Sequence, residues 1–369
     1  MALLTFGWRT ALLLFASIEM LVLAAALWQP LANRTANRIL SCLLIVLVGV
    51  ILPFAIGFAG FYDRFPWLSF APFAVPLAIG PLLYSYAYSV AFAATPPRLA
   101  LHLAPALAQF GYQAVIFPLP LSVKNHWDAI ATPVLAPILM LALIASLAGY
   151  SIASLRILRL YRIALAQQRS DDDRLSARWL SRAVVALLLL LTISLAYAAW
   201  NAFIAPLDYF GVIGRYLAIA AIGCYLAIEG WRHADLRLAP IPVPSNDEPP
   251  APSRDWRAQG AAWASQVRDA NWQRDPELSL AALARMLGTN TAYLSRALNE
   301  GLGVSFSTFI AGLRCDDVAA TLRSGSEIDL LRLALDAGFG SKASFNRSFR
   351  ARFGLSPSAY RRAHASNPK

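Results

Sequence analysis

A chain of 369 residues that is 58% hydrophobic and only 14% charged departs from ordinary soluble domains, where roughly a quarter of residues carry charge. Disorder and fibrous repeats are excluded, and one water-soluble globule would have no interior large enough for so much apolar surface. The three cysteines, Cys42, Cys224 and Cys315, are scattered without Cys-x-x-Cys or Cys/His spacing, so neither a disulfide framework nor a metal site is expected. A formal charge of +11 fits basic loops beside a membrane or a surface for nucleic acid.

Seven apolar stretches precede residue 232, each near or above the ~20 residues that a helix needs to cross a bilayer core. They are Thr10 to Trp28, Ile39 to Phe61, Trp67 to Ala94, Leu99 to Leu121, Ala129 to Leu155, Ala183 to Ala205 and Tyr209 to Trp231. Pro72, Pro76, Pro81 and Pro105 interrupt the third and fourth, so six or eight spans are the alternatives. Helices of a soluble bundle would need a polar solvent face, which most of these lack. The first stretch is expected to stay as a span, because no clear cleavage site follows Trp28.

Cations alternate between the connecting loops. Arg34, Arg38, Arg98, Arg156, Arg159, Arg162, Arg169, Arg174, Arg178, Arg182, Arg232 and Arg237 fall on one side, against Arg9, Arg64 and Lys124 on the other. Cationic loops stay in the cytoplasm during insertion, so the N-terminus is expected outside and everything after Trp231 inside. The arginines from Arg156 to Arg182 are explained by topology and anionic lipid rather than by a further DNA surface. Asp171-Asp172-Asp173 reads as a solvated turn, since consecutive carboxylates point apart.

Residues 239–253 carry six prolines with Asn246, Asp247 and Glu248, the composition of a semi-rigid extended linker. From Arg254 onward the helices become short and amphipathic, with sixteen Lys/Arg against ten Asp/Glu. Lys342, Arg347, Arg350 and Arg352 crowd together as expected of phosphate contacts.

Two helix-turn-helix units follow from the spacing of this tail. In the first, Leu280, Leu283, Ala284 and Leu287 form a stripe, Gly288 turns, Asn290 caps, and Leu294 and Leu298 bury the second helix. In the second, Ile328, Leu331, Ala334 and Leu335 form the stripe, Gly338 turns, Ser341 caps, and Phe345, Phe349 and Phe353 face inward. Thr291, Ala292, Ser295 and Arg296 are left outward in one unit, and Lys342, Ala343, Asn346 and Arg347 in the other. Arg pairs bidentately with guanine and Asn with adenine in the major groove.

The series LAALARMLGTNTAYLSRALNEGLGVSFSTFIAGLR, followed by ALDAGFGSKASFNRSFRARFGLSPSAYRR, closely resembles the DNA-binding domain of the AraC/XylS family of bacterial transcription regulators. The resemblance covers about Pro276 to Arg362, under a third of the chain. It implies two helix-turn-helix motifs joined by a linker helix at about Phe306 to Leu322, with both recognition helices in successive major grooves. By position it assigns DNA contacts to Ala292, Ser295, Arg296, Lys342, Ala343, Asn346 and Arg347. Leu298 replaces the usual Phe and Ala292 is small, so the first unit is expected to read DNA less selectively. Promoter DNA and RNA polymerase are the implied partners, and no cofactor is implied.

Ionisable groups inside spans are costly and point to function. Glu19, His102, Arg215 and Glu229 qualify. His102 and Glu229 lie near helix ends. Glu19 and Arg215 sit deeper, as candidate signal-sensing residues or, more simply, as an ion pair across helices. Toward the outside gather Tyr62, Asp63, Trp67, Gln109, Tyr112, Gln113, Asn125, His126, Trp127, Asn201, Asp208 and Tyr209, in the pattern of an interfacial aromatic belt or an outward-opening pocket. No catalytic nucleophile-base pair, phosphate loop or metal motif is visible in the tail.

The expectation is an all-α chain. A seven-helix transmembrane sensory domain covers 1–238, the linker 239–253, and the double helix-turn-helix domain 254–369. It would sit in a bacterial plasma membrane and couple a small-molecule or envelope signal to promoter binding, as a homodimer. The rival is a transporter or membrane enzyme with an appended DNA-binding tail.

Overall fold

The computed structural model describes the chain except for residues 1–3, 30–31, 171–177, 206–209, 237–254, 325–327 and 366–369. The proline-rich linker, the Asp171-Asp172-Asp173 run, Arg174, Arg237, Asp208, Tyr209 and the side chain of Asn201 lie outside the described residues. The described elements are helices, and extended pairing is confined to one bridge between Arg169 and Ser279. Two compact units result: residues 1–159 with 177–240, and residues 160–176 with 241–369.

The first unit contains α1 (Trp8–Ala26), α2 (Arg34–Phe58), α3 (Ile79–Phe92), α4 (Leu99–Ile116), α6 (Arg178–Phe203) and α7 (Ile213–Arg232), with most of α5 (Leu121–Gln168). All but α3 are long and apolar enough to cross a membrane, so among the described residues six such helices stand where seven stretches were expected. The third stretch breaks into 3-10 turns at Pro66–Phe70 and Pro76–Ala78 before α3 begins. Each proline removes an N–H donor and fixes φ, so α3 keeps 14 residues, about 21 Å, which is short of a bilayer core. Pro105 is absorbed inside α4, and Pro133 and Pro137 inside α5.

Leu13, Met20, Leu40, Leu44, Leu47, Ile51 and Leu226 form the buried seam of α1, α2 and α7. Glycines let these helices close up: a Cβ on Gly223 would meet Met20 and one on Gly230 would meet Leu40. Outward, Phe15 is 73% and Val115 70% exposed, an apolar surface suited to lipid rather than water.

At one end of the unit, Asn33 and Asn37 donate side-chain amide N–H groups to the carbonyls of Leu236 and Ala234 just past α7. Trp179, at the start of α6, stacks on His233 there, with centroids 5.3 Å apart. The other end holds Arg9, with its guanidinium over Phe210, and Thr5, whose N–H donates to Ala59. Helix polarity thus sends Arg34, Arg38, Arg178, Arg182 and Arg232 to one end and Arg9 to the other.

A Cβ on Gly49 would strike the Phe73 carbonyl, a backbone group that cannot step aside, whereas one on Gly111 meets nothing within 4 Å. Gly49→Ala is expected to destabilise the protein by about 1–3 kcal/mol and Gly111→Ala to leave it unchanged, read as melting temperatures in detergent by circular dichroism.

Candidate nucleic-acid interface

In the second unit, α8 (Trp256–Asp269) is capped by Asp255, whose carboxylate accepts from the N–H of Arg257 and Ala258. Next come α9 (Leu280–Met286), capped by Ser279, and α10 (Thr291–Arg296), capped by Asn290 through a 2.8 Å bond from the Tyr293 N–H. Gly288 makes the turn between them at φ +66°, where an L side chain is strained. A wider π turn, Ala297–Gly301, prolongs α10 and leads to α11 (Phe306–Arg323). Leu280, Leu283, Ala284, Leu294 and Leu298 are buried as the periodicity requires.

The same construction recurs in α12 (Leu330–Asp336), α13 (Lys342–Phe353) and α14 (Pro357–Ala365). Asp329 and Ser341 cap α12 and α13, and Gly338 turns at φ +94° against the Arg274 backbone. Phe345 and Phe349 are buried, with Phe353 packed beside them. The apolar stripe of α12 differs from expectation. Leu333, Ala334 and Ala337 are the buried positions, with Leu330 packed on them, while Ile328, Leu331 and Leu335 are 46%, 39% and 50% exposed. An alternation of leucines at 330, 331, 333 and 335 fits two registers, and the contact with α11 selects one.

One helix serves both cores. Phe306, Phe309, Ile310 and Leu313 of α11 enter the first, and Cys315, Val318, Ala319 and Leu322 the second. Between them Arg314 is 1% exposed and donates to the carbonyls of Gln273 and Asp275, each at 2.6 Å. Asp316 receives a bidentate pair from Arg352 at 2.6 and 2.7 Å, joining α11 to α13. Arg352 is therefore an internal clamp rather than one of the phosphate contacts expected from its charge. At ~100° per residue it lies about 160° around α13 from Arg350.

The remaining candidates divide into two environments. On α13, Lys342, Ala343, Asn346 and Arg347 are all exposed. Lys342, Asn346, Arg347 and Arg350 line a groove of about 460 Å³ together with Asp329, Ser356 and Ser358. The two hydroxyls and the Asp329 carboxylate in this groove were not singled out from sequence, although Ser356-Pro357 marks where α14 begins. On α10, Ala292, Ser295 and Arg296 are half-buried. Ser295 Oγ accepts from Asn299 at 3.1 Å, and Arg296 faces Glu300 at 4.0 Å. The second helix offers an exposed basic face, and the first a half-buried one on which Arg296 faces Glu300. Groups of His, Cys, Asp and Glu able to hold a metal are absent among the described residues.

A family model described as a helix-turn-helix domain matches residues 283–363. The C-terminal region is a helix-turn-helix domain. It is 36% identical over 84 residues to the HTH-type transcriptional regulator CdhR of Pseudomonas aeruginosa, a match covering 23% of this chain and 25% of that protein. An uncharacterized HTH-type transcriptional regulator of Staphylococcus aureus is 34% identical over 85 residues, 23% of this chain and 11% of its own length. The chain thus spans a quarter or less of these relatives. Among solved structures, the C-terminal domain of AraT, a response regulator from Geobacillus stearothermophilus, aligns at 26% identity over 30% of this chain and 86% of that one, with a TM-score of 0.25.

In the first unit the two ionisable candidates within the long apolar helices do not meet. Arg215 donates to Tyr216 at 2.8 Å, while Glu19 lies within hydrogen-bonding reach of Cys224. Nine residues of α7, about 13 Å, separate those levels, so the expected ion pair is not formed. His102 pairs with Tyr150, and Glu229 with Arg232 at the end of α7. Of the polar and aromatic residues expected toward the outside, Tyr112, Gln113 and Trp127 share a cavity of about 220 Å³ with Phe70, Asp128 and Thr132.

Burial pushes the Cys315 thiol up to about 12, so the helix-turn-helix domain should not react with a maleimide at pH 7 until it unfolds. Peptide mass mapping with and without denaturant checks this. Removing the Arg352 clamp (Arg352→Ala) is expected to reduce stability by about 0.5–1 kcal/mol, the pair being partly solvated. The salt dependence of DNA binding should stay unchanged. Lys342→Ala or Arg350→Ala should instead lower the slope of log K against log salt by about 1 and leave melting unaltered.

Proposed function

We propose that this protein is a membrane-embedded, sequence-specific transcription regulator of the AraC/XylS kind. A sensory domain over residues 1–238 and a linker over 239–253 carry a DNA-binding domain over 254–369. The observation that carries the reading is the presence, among the described residues of one chain, of six helices long and apolar enough to cross a membrane and a helix-turn-helix domain with an exposed basic face on α13. The segregation of arginines to one end of the first unit supports an orientation with that end and the C-terminal domain in the cytoplasm of a bacterial cell.

In this reading, Lys342, Ala343, Asn346 and Arg347 provide the more selective half of promoter recognition. Ala292, Ser295 and Arg296 provide the less selective half. A small-molecule or envelope signal acts through its differential affinity for two states of the membrane domain. The cavity beside Tyr112 and Trp127 is a better candidate for that signal than Glu19 and Arg215, which lie apart. Two copies on one promoter raise apparent affinity through effective concentration, and RNA polymerase is the downstream partner.

Chromatin immunoprecipitation of the tagged full-length protein, with fractionation of the same cells, tests this function. Discrete promoter peaks from membrane-bound protein are expected. Arg347→Ala should remove them with membrane insertion intact, by a loss of about 1–3 kcal/mol where Arg347 reads a base. Transport of a solute by tail-deleted protein, with no promoter occupancy by the full chain, would favour the transporter reading.

A further inference from the structure

Helix α5 begins in the first compact unit and ends in the second, where its residues from Leu160 onward group with the C-terminal part of the chain. The end of α5 and the two residues that follow it meet the start of the helix-turn-helix region through specific polar contacts. The Ser170 N–H donates to the Leu278 carbonyl at 3.1 Å, and the Ser170 hydroxyl donates to the same oxygen at 2.8 Å. Arg169 pairs in antiparallel fashion with Ser279, the residue that caps α9. Ser170 Oγ also accepts from the buried Arg314 at 3.2 Å, which places it at the seam between the two cores. One turn earlier, Gln167 Oε1 accepts from Asn299 at 3.0 Å, and that same Asn299 amide donates to Ser295. Ser170 is 9% exposed, so this is a docked segment and not a grazing contact.

We propose that Gln167–Ser170 is an autoinhibitory arm, an internal ligand that competes with DNA for the first helix-turn-helix unit. This rests on the DNA-binding reading above. The arm grips the start of α9 and, through Asn299, the outward residue Ser295 of α10. In helix-turn-helix docking the first helix crosses the nucleic-acid backbone and the second presents its outward residues to the groove. An occupied arm and a bound duplex therefore use the same edge. Release leaves Arg314 with its two carbonyl acceptors on Gln273 and Asp275, so the domain stays satisfied when the arm departs. Linkage makes the competition reciprocal: bound DNA weakens the docking of the arm by the same factor by which the arm weakens DNA binding.

The test uses full-length protein in nanodiscs carrying Arg169→Cys with Ser279→Cys. Facing residues of an antiparallel pair lie about 4.5–5.5 Å apart at Cα, within disulfide range. Mild oxidation should link the two peptides, as read by mass mapping. The probe is a fixed 30-base-pair mixed-sequence duplex at low salt, titrated by fluorescence anisotropy. The oxidised protein should bind at least tenfold more weakly than the same sample after reduction. Gln167→Ala in the native background should bind a few-fold more tightly than the parent. Absence of the disulfide, or equal or tighter binding when oxidised, would overturn the proposal. A reduced protein that holds no duplex at any salt would sink the DNA-binding reading and the competition with it, while the disulfide yield would still report the dock.

Discussion

The helix-turn-helix domain depends on a guanidinium held at the boundary of two hydrophobic cores. A buried cation without partners would be destabilising by several kcal/mol, so its surroundings must be built to receive it. Arg314 meets that demand by fixing the backbone of Gln273 and Asp275, the stretch that leads into α9. Its neighbours in sequence, Leu313 and Cys315, point into different cores. One side chain therefore sets both the entry path of the first reading unit and the register at which α11 passes to the second.

Most of this domain was legible in its sequence, because its determinants are local. Asn290 and Ser341 cap at the expected positions, Gly288 and Gly338 adopt the positive φ their turns need, and the phenylalanine series of α13 falls inward. The failures are of another kind. Arg352 was counted with its basic neighbours, since nothing in α13 alone announces a carboxylate 36 residues earlier on α11. The stripe of α12 was misassigned because closely spaced leucines satisfy two helical faces equally well. The contacts of Gln167 and Ser170 were invisible for the same reason, lying more than a hundred residues from their partners.

The first unit shows the same division. The membrane-length helices lie on the apolar runs, although α5 overruns its own at both ends, and the one stretch that fell short did so where Pro66, Pro72 and Pro76 cluster. Glu19 and Arg215 were linked by chemistry alone, whereas the levels they occupy along α7 are set by packing. Small residues decide that packing: Gly223 and Gly230 let α7 approach α1 and α2 closely enough for Met20 and Leu40 to fill the gap. Polar groups at the ends then complete it, with Asn33 and Asn37 donating to the carbonyls just beyond α7.

On the proposed reading of one duplex by both units, the shared rib α11 and the Asp316–Arg352 clamp have a consequence for the operator. Two reading helices mounted on one stiff body act as a gauge of helical phase. With 10–10.5 base pairs per turn, a single inserted or deleted pair rotates one half-site by roughly 35° relative to the other. A stiff domain cannot follow that rotation, so the duplex itself must twist or bend, at an energy set by the sequence of the spacer. Selectivity would then reside partly in bases that no side chain touches.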